Sequence, residues 1–353
     1  MTNTFLAANS SIGFYSLFDE MTRRTDHSIY LIKGGPGSGK SSLMKKVALA
    51  AAEKGMEVEQ MHCSSDPESL DGVWIKDKKV IFLDATAPHC ADPRFPGAVE
   101  EIVPLGEYWD AKVLKEHTAE IISLSQSISG IFKSIYRLLG AAGQVQGISD
   151  KIVSSAFEQE KALGALTKFF RRQAILPLGK KGQTDKRFIS AISQNGVVLY
   201  EDIVKDCKQV LLIEDPYECS FLITDMANKM LVDMGYDRTC ALSPLHPERI
   251  DHLIVPECSL AIITQNHRLR WQSQFPVVKT LQLKTFLNPD IISQNKNKLA
   301  FSKKLCKSIY DEVADYLASE KALHDRLESF YIDAMDFEAL NKKSEQFIAE
   351  IIK

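Results

Sequence analysis

The sequence predicts an α/β chain built as two tandem copies of one domain, each a parallel sheet flanked by helices, with helical hairpin extensions. Three observations predict it. An apolar, β-branched run at 28–33 passes through a glycine-rich loop into a helical pattern that ends near Gly55. A second short apolar run ends in a carboxylate at Asp84. Several short matches recur, in the same order, at an offset of about 180 residues. The chain has 353 residues, 45% apolar and 25% charged, with a net charge of -3, which is enough for two ordinary cores. That balance gives no global attraction to nucleic acid or membrane. No apolar run approaches the roughly 18 residues of a membrane helix. The first residues lack a basic start followed by an apolar core, so no secretory signal is expected. The seven cysteines are odd in number and form no CxxC, so reduced thiols and a cytoplasmic location are expected.

The first element is the strand "SIYLIK". The loop after it, Gly34, Gly35, Pro36, Gly37, Ser38, Gly39, Lys40 and Ser41, matches G-x-x-x-x-G-K-[ST]. The helix "SSLMKKVALAAAEKG" follows, with Gly55 as its natural end. Strand, glycine loop and helix form the arrangement in which backbone N–H groups turn inward around a phosphate, helped by the helix dipole. Lys40 would reach the β- and γ-phosphates and the Ser41 hydroxyl would ligate Mg²⁺. Next come a strand, "EVEQMHC", and a short helix with Asp66 as N-cap and Pro67 at its first position. "VIFLD" then places Asp84 at a strand end, where a carboxylate can hold the Mg²⁺ shell.

Over residues 28 to 90 the chain resembles the P-loop NTPase superfamily. Lys40 and Ser41 fall at its Walker A positions and Asp84 at its Walker B aspartate. The resemblance implies that Gly34 through Ser42 bind ATP or GTP, and that Ser41 and Asp84 hold Mg²⁺. "HCSSDPESLDGV" followed by "DATAPH" also resembles a little-described bacterial family of tandem P-loop proteins, which implies nucleotide binding without a defined substrate.

The loop after Asp84 carries further candidates. Arg94 could stabilise transferring phosphate charge as a cis arginine finger, and Glu100 or Glu101 could position water. Many related ATPases have Glu directly after the Walker B aspartate; here Ala85 stands there, so hydrolysis would need a base such as His89, Asp92 or Glu101. Three readings stay open: a slow nucleoside triphosphatase, a small-metabolite kinase, and a nucleotide-gated interaction protein. His62-Cys63 and His89-Cys90 end successive strands; zinc is the lesser alternative there, because neighbours on a strand point to opposite faces.

A helical segment follows at about 107–176. Ile121, Leu124, Ile128, Ile131, Ile135 and Leu138 recur at three- and four-residue steps. Gly140 to Gly147 reads as a break, so a helical hairpin is expected. Its stripe would cover the sheet or the second domain, or else serve a protein partner or a homodimer. The basic stretch 168–187 reads as solvated or interdomain-bridging, and nucleic acid is not the expected partner.

The repeat divides the chain into 1–182 and 183–353. Asp66-Pro67-Glu68 matches His246-Pro247-Glu248, and Val80–Asp84 matches Leu260–Thr264. The loop has no such match: "EDPYECSF" lacks glycine and lysine, and Asp84 becomes Thr264. Glu214, Asp215 and Glu218 would place negative charge where phosphate should lie. The second copy is therefore expected to be degenerate, serving as a lid, partner surface or regulator, with C-terminal packing helices at about 289–353.

Overall fold

The computed structural model describes residues 1–87 and 91–352. The first half runs β1 (Thr2–Phe5), β2 (Ala7–Ser10), β3 (Gly13–Ser16), α1 (Phe18–Thr22), β4 (Ser28–Lys33), α2 (Lys40–Glu53), β5 (Val58–His62), β6 (Leu70–Ile75), β7 (Val80–Asp84) and β8 (Glu100–Pro104), then α3 (Ala111–Glu116), α4 (Thr118–Ala156) and α5 (Gln159–Arg172). The second half repeats that plan: β9 (Thr184–Arg187), β10 (Ser190–Ser193), β11 (Gly196–Leu199), β12 (Gln209–Glu214), α6 (Phe221–Met234), β13 (Arg238–Leu242), β14 (Ile250–Val255), β15 (Leu260–Gln265) and β16 (Val277–Gln282), then α7 (Pro289–Gln294), α8 (Lys296–Ala334) and α9 (Phe337–Ile351).

Each half builds a six-stranded sheet, in the order β1-β5-β6-β7-β4-β8 and β9-β13-β14-β15-β12-β16. Both sheets are mixed, which corrects the expected parallel sheet: β6 and β14 run antiparallel to both neighbours, and the remaining pairings are parallel. The cause lies at 66–79. Asp66-Pro67-Glu68 does not start a helix. It makes one tight turn, in which Ser69 N donates to Asp66 O at 2.9 Å and Glu68 N to Asp66 Oδ1 at 3.3 Å. The second half makes the same turn, with Arg249 N donating to His246 O at 2.8 Å. The sequence after it, "LDGVWI", has no helical apolar period, so it joins the sheet as a strand.

Strand alternation splits the first core in two. Ile29, Leu31, Ile81 and Leu83 face one side; Ile32 and Phe82 face the other, against Leu43, Met44, Val47 and Ala51 of α2. That second face is finished by α9, from the other half. Phe347 stands edge-on to Tyr30, with centroids 4.8 Å apart, and Leu340 joins the same cluster. Reciprocally, Ala162, Leu166 and Phe169 of α5 join Leu211, Ile213, Ile223 and Leu231 of the second half. The terminal helices are thus exchanged between halves.

Between them run α4 and α8, each of 39 residues. They pack antiparallel: Ser302 Oγ donates to Val145 O at 2.8 Å, and Ile135 and Leu139 share a cluster with Tyr310, Val313 and Leu317. The apolar stripe of 121–138 is therefore used within the chain. Two expectations are corrected here. The α4 helix is continuous through Gly140–Gly147, and it pairs with α8 rather than folding back on α5. Gly143 marks a close approach instead of a break, since a Cβ there would lie 2.6 Å from Ser11 Cβ at the β2–β3 turn. Matching bridges relate the halves: Trp109 with Met335, Phe157 with Leu287, and Phe5 with Phe188 on the local two-fold. Among the described residues, no helix is long and apolar enough to cross a membrane.

Candidate functional site

The Gly34–Ser41 loop leaves the C-terminal end of β4, beside the end of its parallel neighbour β7, and enters α2. Gly37 and Gly39 have φ of 66° and 86°, conformations that turn the chain sharply and that a side chain would strain. Ser38 is buried and braces the turn, its hydroxyl donating to Gly35 O at 2.7 Å. Lys40 folds back over the loop, donating to Gly34 O at 3.1 Å and Gly35 O at 2.8 Å, and its Nζ lies 3.7 Å from Asp84 Oδ2. Ser41 Oγ accepts from Leu70 N at 3.0 Å, which leaves its own proton and a further lone pair available. Ser42 follows in the first turn of α2. The strands thus bring together glycine N–H groups, a helix N-terminus, one ammonium, one hydroxyl and one carboxylate, a setting that favours an anion with an oxygen-seeking cation.

Other expected residues lie elsewhere. Arg94 is exposed and pairs with Asp19 at 3.6 Å. Glu101 is exposed in β8 opposite Tyr30, near the start of β4, whereas the loop follows the end of that strand. Glu100 is buried and accepts from Phe95 N at 2.8 Å. Asp92 pairs with Lys33 at 3.1 Å. Among the described residues, none of these forms a hydrogen bond or ion pair with residues 34–41, although the partner of Asp92, Lys33, directly precedes the loop. His62 is engaged by Pro67 O at 2.6 Å and Asn3 Oδ1 at 2.9 Å. His89 and Cys90 lie outside the described residues.

Sequence reasoning missed two contributors. Thr86 donates its hydroxyl to Gly34 O at 3.0 Å, and its N–H binds Asp84 Oδ1 at 2.9 Å, tying the two motifs together. Its position two residues after a strand-end aspartate was the available signal. The other contributor is α8. Glu328 Oε1 accepts from Gly37 N at 3.1 Å, and Tyr331 lies against Gly35. A hydrogen bond from His324 holds Glu328 below the ordinary carboxylate range, against partial burial that works the other way. No local pattern marks a contact so distant in the chain.

The corresponding loop of the second half is filled by its own side chains. Asp215 is buried and takes the N–H groups of Tyr217 at 3.0 Å and Ser220 at 2.7 Å. Burial raises its pKa, partly offset by those N–H groups. Glu218, at φ 60°, pairs with Arg268 and lies 3.1 Å from His267, whose imidazole pKa burial pushes down to about 4. Thr264, where Asp84 stands in the first half, donates to Asp251 O at 2.7 Å. Burial and the nearby Asp215 charge push Asp251 up to about 7.

A family model described as Novel STAND NTPase 3 matches residues 18–86, the span from α1 through the loop and Asp84 to Thr86. The match marks an NTPase-like domain over that span. No curated protein and no solved structure matches the chain.

Proposed function

We propose that the first half binds ATP or GTP with Mg²⁺ through Gly34–Ser42 and hydrolyses it slowly. In this reading the chain divides near residue 182 into two P-loop-type units, and the second, degenerate unit serves as lid or regulator. The observation that carries the reading is the approach of Lys40 Nζ to Asp84 Oδ2, 3.7 Å, beside the N-terminus of α2. Ser41 and Asp84 suit Mg²⁺, whose preferred ligands are oxygens. When bound, the ion supplies neutralisation of β- and γ-phosphate charge. Lys40 would exchange the loop carbonyls for phosphate oxygens, and the glycine N–H groups would orient the chain of phosphates. The second loop supports one site rather than two, since Asp215 already accepts the N–H groups that a phosphate would need.

One observation favours a kinase as the second reading. Ala85, buried behind Asp84, stands where a water-polarising glutamate is common, and in a kinase the acceptor supplies the nucleophile. Phosphate release from ATP or GTP with Mg²⁺, followed with and without added metabolites, separates the readings. Release alone supports the hydrolase; transfer only to an added metabolite supports the kinase; binding with neither supports a nucleotide-gated interaction protein. Absence of binding overturns all three.

A further inference from the structure

The end of α8 and the start of α9 sit directly on the Gly34–Ser41 loop, although they come from the other half of the chain. Glu328 Oε1 takes the Gly37 N–H at 3.1 Å. The fit is close: a Cβ on Gly37 would lie 2.8 Å from Glu328 O, one on Gly35 2.6 Å from the Tyr331 ring, and one on Gly39 3.1 Å from Leu340. The corner between the helices is tied to the first half by Asp110 N donating to Ala334 O at 2.8 Å and Asp336 N donating to Tyr108 O at 2.7 Å.

We propose that Glu328 is an internal stand-in for phosphate, closing this loop against nucleotide, and that a nucleoside triphosphate enters only by displacing the α8–α9 corner. The inference rests on the reading of the loop as a nucleotide site and adds how that site is regulated. A bound phosphate chain needs the N–H groups that line the loop. It cannot share the Gly37 N–H with a carboxylate at hydrogen-bond distance, because the two charges are alike and close. One of them must leave.

At the matching place in the second half, α4 meets the loop without taking its N–H groups, and it is fastened there. Asp150 occupies in α4 the position of Glu328 in α8, two helices of equal length. Asp150 is held by Arg249 at 2.7 Å, and its neighbour one turn earlier, Gln146, donates to Tyr217 O at 3.3 Å and Glu218 O at 3.4 Å. In the first half Ser69 stands at the place of Arg249, and the nearest lysine of α8, Lys321, pairs with Asp325 and, at 3.8 Å, with Asp66. Glu328 therefore keeps the Gly37 N–H and a contact with His324 at 3.4 Å, and no arginine anchors it among the described residues. The α4 contact is braced by an ion pair to the turn before β14, whereas the α8 contact has no such brace among the described residues and can be released.

Calorimetry of the full chain with MgATP and MgGTP tests this, comparing wild type, Glu328→Gln, Glu328→Ala and Lys40→Ala, each checked for folding. Removal of the charge is expected to tighten nucleotide binding at least tenfold in both Glu328 variants. In wild type, saturating MgATP is expected to speed amide hydrogen exchange over residues 324–340. Unchanged or weaker binding in the folded Glu328 variants, or unchanged or slower exchange there on MgATP addition, overturns the proposal. Failure of the two readings is distinguishable. If wild type binds, Lys40→Ala weakens it and the Glu328 variants do nothing, only the closure idea falls. If neither wild type nor the Glu328 variants bind, the nucleotide-site reading falls with it.

Discussion

At the scale of single residues, the most deeply buried ion pair that joins the halves, among the described residues, is that of Arg187 and Glu59. Arg187 Nε donates to Glu59 Oε1 at 2.5 Å, and the Thr4 hydroxyl donates to the same oxygen at 2.9 Å. Burial pushes the Glu59 carboxyl up, but the Arg187 charge and hydrogen bond outweigh it and leave the pKa lowered. A carboxyl with a folded pKa below its unfolded value, about 4.3, stabilises the fold above that value, and the contribution is lost as pH falls through the folded pKa. Arg187→Leu leaves an unpaired buried carboxylate and should cost about 3–5 kcal/mol at neutral pH. With Arg187 gone, burial dominates, so the variant should lose its deficit towards pH 4; urea midpoints at both pH values check this. A deficit that persists in acid would show that Arg187 acts by packing. At the loop, Lys40→Ala removes both the ammonium and its brace on Gly34 and Gly35. Nucleotide affinity should fall at least tenfold, about 1.4 kcal/mol, with the fold intact by circular dichroism. Asp84→Asn should reduce Mg²⁺ dependence and turnover more than nucleotide affinity, read from Mg²⁺ titrations of phosphate release.

At the scale of elements, the glycines of α4 divide by what they meet. A Cβ on Gly143 would collide with Ser11, whereas one on Gly147 would meet nothing within 4 Å. Gly147→Ala should raise stability by about 0.5–1 kcal/mol through helix propensity. Gly143→Ala should lower it, because the β2–β3 turn must move; denaturant midpoints of the two variants should shift in opposite directions. The same residues explain what the sequence did and did not disclose. Glycines in a helical pattern read as a break because their use, approach by a distant turn, is invisible locally. Asp66-Pro67-Glu68 carries valid helix-start chemistry, but an aspartate before proline also opens tight turns, and the strand pattern of 70–75 decides between them. The placement of Lys40 and Ser41 at the start of α2 was legible from the glycine-rich motif between an apolar run and a helical pattern, and that of Asp84 from its place at the end of an apolar run. Arg94 and Glu101 were judged from closeness in sequence to Asp84, yet β8 returns parallel to β4 and carries Glu101 to the strand's start. Glu328 was beyond reach, since its partner Gly37 is 291 residues away.

At the scale of the whole molecule, exchange of the terminal helices makes each half depend on the other. The face of the first sheet that carries α2 is completed by Leu340 and Phe347, and the apolar stripe of α4 by Tyr310, Val313 and Leu317. A chain ending at Gly182 would leave both uncovered, and should aggregate or unfold at lower denaturant than the full chain. The exchange also bears on how many nucleotides the molecule can hold. Two sheets of one topology suggest two sites, but the second loop has its N–H groups taken by Asp215 and its outer residue Glu218 paired with Arg268. It has no lysine in the place of Lys40, where Phe221 begins α6. Full-length protein should therefore bind one nucleotide per chain in equilibrium dialysis. Glu218→Ala should keep that ratio at one, since removing a charge restores neither a lysine nor the free N–H groups that Asp215 holds. Two nucleotides per chain, with the second surviving Lys40→Ala, would place a working site in the second half and show that Asp215 yields its N–H groups to a ligand.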